Sequence, residues 1–300
     1  MKILVSGATG LVGQHLVPFL QKSNHDVYSL VRKSPGSEHE IKWDAERGFD
    51  ERDLKRLESF DSVVHLAGAG IADERWTTKR KRVIEESRTI GTRVLVDALA
   101  QLDNKPQSLI CASAIGYYGN RGDEILTEDS LPADDFLGKV CVNWEREAQR
   151  AKTIGIKRVV NLRIGIVLSP EGGALKEMLT PFKMGVGGRV GRGTQYVSWV
   201  ELGDLVRVIE FAIENESLLD AVNATAPNPV RNSEFAEELG NVLNRPALVP
   251  TPEFALRLMF GELADALLFS SARVIPEKLQ KHHFKFNFEN ISDALKHLLR

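Results

Sequence analysis

The residues that most constrain this chain are Ser6-Gly7-Ala8-Thr9-Gly10-Leu11-Val12-Gly13. They lie between a β-rich run, Lys2 to Ser6, and a helical pattern, Leu11 to Lys22, with Leu11, Val12, Leu16, Phe19 and Leu20 as its apolar positions. A strand that turns on glycines directly into a helix starts a βαβ unit. In such a turn Gly7 permits the tight bend, Gly10 lets the backbone approach a pyrophosphate, and Gly13 lets the helix close on the sheet. Free N–H groups at the helix start, aided by the helix dipole, attract the phosphates. The spacing is Gly-x-x-Gly-x-x-Gly, not the commoner Gly-x-Gly-x-x-Gly. A glycine triplet alone says little; its place between strand and helix makes dinucleotide binding the expectation. Thr9, Leu11 and Val12 belong to the same cradle. Pro18 conflicts locally, since proline in a helix interior costs about 3 kcal/mol, and a kink or shifted helix is expected there.

The second strand reads Asp26 to Val31 and runs into Arg32-Lys33-Ser34. An NAD-preferring site places an acid about 20 residues beyond the glycines to bind the ribose hydroxyls. Here that place holds Arg32, whose guanidinium matches a phosphate and not a diol. The expected cofactor is therefore NADP, with Arg32 reading its 2′-phosphate.

Further strands are expected at Ile41 to Trp43, Asp61 to Ala67, Ser108 to Ala112 and Lys157 to Ile164. Helices are expected at Thr77 to Gln101 and Leu137 to Ile154. Apolar strands separated by helices imply a parallel sheet covered on both faces. The fold class is α/β: a Rossmann-type doubly wound parallel sheet of about seven strands, with a small, mainly helical C-terminal lobe. Residues 1–168 read as the NADP-binding domain, its sheet completed by later strands at about 197–226. Residues 169–300 read as a mixed substrate lobe. Glycines crowd Glu171 to Gly193, which reads as loops and turns. There Arg189 and Arg192 would order over an anionic substrate.

Composition narrows the partners. The chain of 300 residues is 43% hydrophobic and 27% charged, with a net charge of −2. That balance gives no general attraction to nucleic acid or to an anionic membrane. The run Lys79-Arg80-Lys81-Arg82 reads as a solvated helix face. Pro252 to Phe269 is interrupted by Arg257, Glu262 and Asp265 and is too polar to span a bilayer. Met1-Lys2 leads straight into a strand, so no signal peptide is expected. Cys111 and Cys141 read as buried thiols in a reducing cytoplasm. His15, His25, His39, His65, His282, His283 and His297 are scattered, so no metal site is expected.

These residues resemble the extended short-chain dehydrogenase/reductase superfamily in its NAD(P)-dependent epimerase/dehydratase branch. More narrowly, they resemble an "epimerase family" group that ends in a domain of unknown function. The motifs are Gly7 to Gly13, His65-Leu66-Ala67-Gly68, Ser113-Ala114-Ile115-Gly116-Tyr117-Tyr118-Gly119, Thr127-Glu128, Asp135-Phe136-Leu137, Trp144-Glu145, Arg163-Ile164-Gly165 and Ser198-Trp199-Val200. Pro252 to Leu279 and Phe284-Lys285-Phe286 carry the terminal domain, about 246–297. The resemblance implies that Leu66, Ala67 and Gly68 pass beneath the adenosine and pyrophosphate, that Arg88 reaches the cofactor, and that Trp43-Asp44 border the adenine. It also implies a homodimer through the helices Thr77 to Gln101 and Leu137 to Ile154.

In that superfamily a serine binds the substrate oxygen, a tyrosine moves the proton, and a lysine four residues after the tyrosine holds the nicotinamide ribose. Ser113 fits the first role. The Tyr-x-x-x-Lys pair is broken: Lys139 is present, but Asp135 stands four residues before it. Either Tyr117 or Tyr118 supplies the phenol, or Asp135 serves as acid or base, or the site binds NADP without turnover. Asp204 and Glu201 read as structural, with Asp204 as a helix N-cap. The function expected is NADP-dependent oxidoreduction or epimerase-like chemistry at a carbonyl or hydroxyl carbon of a small molecule. The alternative is a non-catalytic NADP-binding sensor or partner-binding protein.

Overall fold

The computed structural model describes residues 1–300. The main sheet has seven parallel strands: β1 (Lys2–Ser6), β2 (Asp26–Val31), β3 (Glu40–Lys42), β4 (Ser62–His65), β5 (Ser108–Ala114), β6 (Arg158–Ile164) and β7 (Asp220–Ala224). Their spatial order is β3-β2-β1-β4-β5-β6-β7. The winding reverses between β1 and β4, which is where a doubly wound sheet binds its ligand, outside the carboxyl ends of the strands. From the stretch 197–226 only β7 joins this sheet. Trp199–Glu201 pairs instead with Ile166–Leu168 in a separate ribbon.

Alternation along the strands divides the core. Ile3, Val5, Val64, Ile110 and Leu162 face one side, where α1 (Leu11–Lys22) and a later helix bury Leu16, Leu20, Leu205 and Ile209. Leu4, Val63, Leu109 and Val159 face the other, against α2 (Thr78–Ala100) and α3 (Phe136–Thr153). Successive strand residues point to opposite faces, so one strand serves both layers. Pro18 neither ends nor shifts α1, which has the bounds the apolar periodicity gives.

The Gly-rich stretch is more ordered than its composition implies. It begins with α4 (Gly173–Lys183), which buries Leu175, Leu179 and Phe182. Beyond it Gly188 bridges Leu248 and Val190 bridges Thr251. A Cβ on Gly188 would lie 2.1 Å from the Val249 carbonyl oxygen, so this glycine serves close backbone packing. Then come α5 (Leu202–Glu214), α6 (Asn232–Leu243), α7 (Glu253–Phe260) and α8 (Ile291–Leu299). Trp199, Phe235, Leu239, Ile291 and Leu295 form the core of this lobe. Asp204 is not the N-cap of α5. Glu201 is, accepting from the Asp204 N–H at 2.8 Å. Asp204 instead accepts from the N–H groups of Asn287 and Phe288 at 2.9 Å, tying the C-terminal segment to the sheet domain. No helix is long and apolar enough to cross a membrane.

Candidate functional site

Strand register assembles the site. Ser6, the last residue of β1, pairs with Leu30 on one side and His65 on the other. Gly7, Arg32 and Leu66 therefore emerge from neighbouring strand ends. Gly7 has φ +74°, and a Cβ there would lie 2.8 Å from the Leu66 carbonyl carbon. A Cβ on Gly13 would fall 2.2 Å from the Gly7 oxygen. These two glycines press the turn against β4 and α1 against the turn. Thr9 and Gly10 face solvent, Leu11 and Val12 are half-buried, and no side chain caps α1 at Gly10. The first N–H groups of the helix thus have no side-chain acceptor, as an anion site requires. Arg32 is exposed and joins no ion pair. A cradle of this shape, with a free cation at its rim, can receive the phosphates of a nucleotide cofactor.

Beneath the turn lies a buried polar chain. Ser6 Oγ is 2.6 Å from His65 Nδ1, and His65 Nε2 is 3.1 Å from Thr92 Oγ1. Burial pushes the imidazole down to about 4, so at neutral pH it joins β1, β4 and α2 uncharged. Beyond β4, Gly68 lies against Arg88: a Cβ would come within 3.4 Å of the guanidinium carbon. Arg88 donates to the Ile84 carbonyl at 2.9 Å and stacks over Trp144, and burial lowers its pKa. Ala67 is half-buried beside it. Trp43 is core, edge-on to His65, and the exposed Asp44 closes a local turn, its Oδ1 accepting from the N–H groups of Glu46 and Arg47.

At the other half of the sheet Ser113, Arg163 and Asn223 stand in register on β5, β6 and β7. Ser113 donates to Glu145 Oε1 at 2.7 Å. Arg163 donates from Nε and Nη2 to the two Glu145 oxygens, both at 2.9 Å. Burial works against the Arg163 charge, but Glu145 outweighs it and holds the guanidinium above its usual pKa. Arg163 also donates to Tyr118 Oη at 3.0 Å, and Tyr118 donates to Asn223 Oδ1 at 2.6 Å. Burial pushes the Tyr118 phenol up to about 12. Tyr118 is a fully buried anchor. Tyr117 is half-buried, with its ring 3.4 Å from the Arg163 guanidinium carbon.

Lys139 points elsewhere. It is exposed on α3 and pairs with Asp134 at 2.9 Å, not with Ser113 or either tyrosine. Asp135 is the N-cap of α3, its Oδ1 accepting from Gly138 N–H at 2.8 Å. Past Gly119 a cavity of ≈ 560 Å³ opens between the Asn120–Asp123 loop, the Gly-rich segment and the C-terminal lobe. Arg192 and Arg231 line it; Arg231 pairs with Asp123 at 3.0 Å, and Arg192 has no ion-pair partner. Cys111 and Cys141 are buried free thiols, with burial raising both, Cys141 to about 12. Glu145 and Asn223 have no role that the sequence alone shows. A charged residue inside the apolar strand run of Arg158–Ile164 was the available signal, because a buried arginine needs a partner.

Residues 3–224 match the family described as NAD dependent epimerase/dehydratase, and residues 251–298 match a domain of unknown function, DUF1731. Epimerase family protein Mb2239 of Mycobacterium bovis is 40% identical over 98% of this chain and 96% of its own length. Epimerase family protein YfhF of Bacillus subtilis is 36% identical over 100% and 98%. A crystal structure of human epimerase family protein SDR39U1 with NADPH has a TM-score of 0.90 at 31% identity, covering 100% of this chain and 99% of that one. A nucleoside-diphosphate sugar epimerase from Corynebacterium glutamicum gives 0.80 at 34% identity, over 100% of this chain and 58% of its own. With its fold, its glycine turn and this match in hand, the chain belongs to the NAD-dependent epimerase/dehydratase family.

Proposed function

We propose that this protein binds NADP(H) across the β1–α1 turn and uses it for oxidoreduction or epimerase-like chemistry at a carbonyl or hydroxyl carbon of an anionic small molecule. The observation that carries the reading is the uncapped start of α1 beside the unpaired Arg32. The human relative crystallised with NADPH supports the same choice. The dinucleotide supplies the hydride acceptor or donor. Gly10 and the first turn of α1 hold its pyrophosphate, Arg32 its 2′-phosphate, and Leu66, Ala67 and Gly68 lie beneath it.

Among the phenols, Tyr117 is the proton carrier in this reading. Tyr118 is unsuited, since its hydroxyl is spent on Asn223 and its raised pKa opposes ionisation. Arg163 clamps the Tyr117 ring, and Ser113 with Glu145 fixes Arg163. A Ser113 hydroxyl that donates to Glu145 keeps its lone pairs for a substrate hydroxyl. Arg192, on the rim of the cavity, meets the substrate anion. The exposed Lys139, paired away from the tyrosines, favours a second reading in which the protein senses NADP(H) without turnover. A screen of carbonyl compounds with NADPH separates the two. Turnover that falls at least about a hundredfold in Tyr117→Phe supports the enzyme. Tight NADPH binding with no turnover of any compound supports the sensor.

A further inference from the structure

His25 sits at the amino ends of the strands, opposite to Gly7. It ends the turn between α1 and β2, just before Asp26, which pairs with Lys2 at the start of β1. The C-terminal end of helix α5 lies beside His25. Its Glu210 and Glu214 are one helical turn apart, so they share a face. Both carboxylates converge on the imidazole: His25 Nε2 is 3.9 Å from Glu210 Oε1 and 3.7 Å from Glu214 Oε1. The three donor atoms lie within 4.8 Å of one another.

The histidine side chain is only 7% exposed, and neither ring nitrogen has a hydrogen-bond partner. A buried polar group without a partner is costly and uncommon. The separations from the glutamates are too long for hydrogen bonds. They are close to what a shared cation would set. Zinc bonds to nitrogen and oxygen ligands of about 2.0–2.2 Å in a tetrahedron place neighbouring donors roughly 3.3–3.5 Å apart. Small side-chain rotations close the difference.

We propose that His25, Glu210 and Glu214 form a binding site for one divalent transition-metal ion, best matched by zinc, with water as the fourth ligand. The imidazole nitrogen selects against calcium and magnesium, which take oxygen donors. Two carboxylates balance the charge of the ion. Because two ligands come from α5 and one from the α1–β2 turn, the ion clasps that turn to the helix. The site is remote from the coenzyme cradle, so its role is structural.

The test uses the full chain, stripped with EDTA and dialysed. Zinc chloride is titrated by calorimetry, cobalt chloride by visible absorption, and thermal unfolding is followed with and without zinc. The variants are His25→Gln and the double variant Glu210→Gln/Glu214→Gln, with His15→Ala as a control for adventitious surface binding. Circular dichroism and cooperative unfolding without metal establish that each is folded; should His25→Gln not fold, the double variant carries the comparison. The proposal expects one ion per wild-type chain, intense tetrahedral cobalt bands and a higher melting temperature with zinc. It expects affinity at least about tenfold weaker and no thermal shift in the ligand variants. His15→Ala should behave as wild type. Absence of saturable wild-type binding, or binding that survives loss of the ligands, overturns the site and leaves a buried imidazole facing two carboxylates.

Discussion

Arg163 lies against Tyr117, its guanidinium carbon 3.4 Å from the ring centroid, and the carboxylate that neutralises it, Glu145, also holds Ser113. The ion pair is almost fully buried, with side-chain exposures of 4% and 12%. Removing one partner leaves an unpaired charge in the interior. Glu145→Gln is expected to lose about 3–5 kcal/mol in urea unfolding. Arg163→Met with Glu145→Leu is expected to cost less than the sum of the single changes, because no lone charge remains. Strictly additive losses would show that the two residues are not coupled as the geometry implies.

His65 gives the stability a specific pH dependence. Its folded pKa of about 4 lies below the ordinary value of 6.5, because burial opposes the charge. Between those values the unfolded chain binds a proton that the folded chain refuses. Stability therefore falls as the pH drops from about 6.5 towards 4, by up to about 3 kcal/mol from this residue. Urea unfolding of wild type and His65→Asn across that window checks it: the variant should show a shallower acid-side slope. Parallel curves would mean that His65 is not the group responsible.

The glycines of the turn should separate by role. Gly13→Ala places a methyl 2.2 Å from a backbone oxygen, so a loss of about 1–3 kcal/mol in stability is expected. Gly10→Ala meets only the Gly7 oxygen, at 3.3 Å, so the fold should survive while NADPH affinity falls. Thermal unfolding and calorimetry on both variants read the difference. Normal NADPH affinity in a folded Gly10→Ala protein would remove this turn from the binding site.

Asp204 offers a test of how the C-terminal segment is held. Its carboxylate accepts the N–H groups of Asn287 and Phe288. Asp204→Ala should cost about 2 kcal/mol or more and leave α8 and the chain before it open to proteolysis. Hydrogen exchange localises the effect; protection unchanged around Phe288 would contradict it.

Much of this architecture is legible along the chain, for local reasons. Strand and helix periodicities, and glycines between them, depend on near neighbours, so β1, the turn and α1 fall where the pattern puts them. Arg32 is visible because strand order brings the end of β2 beside the end of β1. What escapes is what only distant segments create. Glu145 and Asn223 acquire roles through the register of β5, β6 and β7. Lys139 stands where a family lysine would, yet its partner is Asp134. Glycines between 171 and 193 look like loop until α4 and the backbone contact at Val249 account for them. His25 seems isolated until α5 folds over it.

The central claim is that the β1–α1 turn and Arg32 together hold NADP(H). Calorimetry of NADPH and NADH binding to wild type and Arg32→Asp tests it most directly. Wild type should prefer NADPH, and the substitution should weaken NADPH by about tenfold to a hundredfold with little change for NADH. Absence of binding heat for either dinucleotide, or equal losses for both, would contradict it.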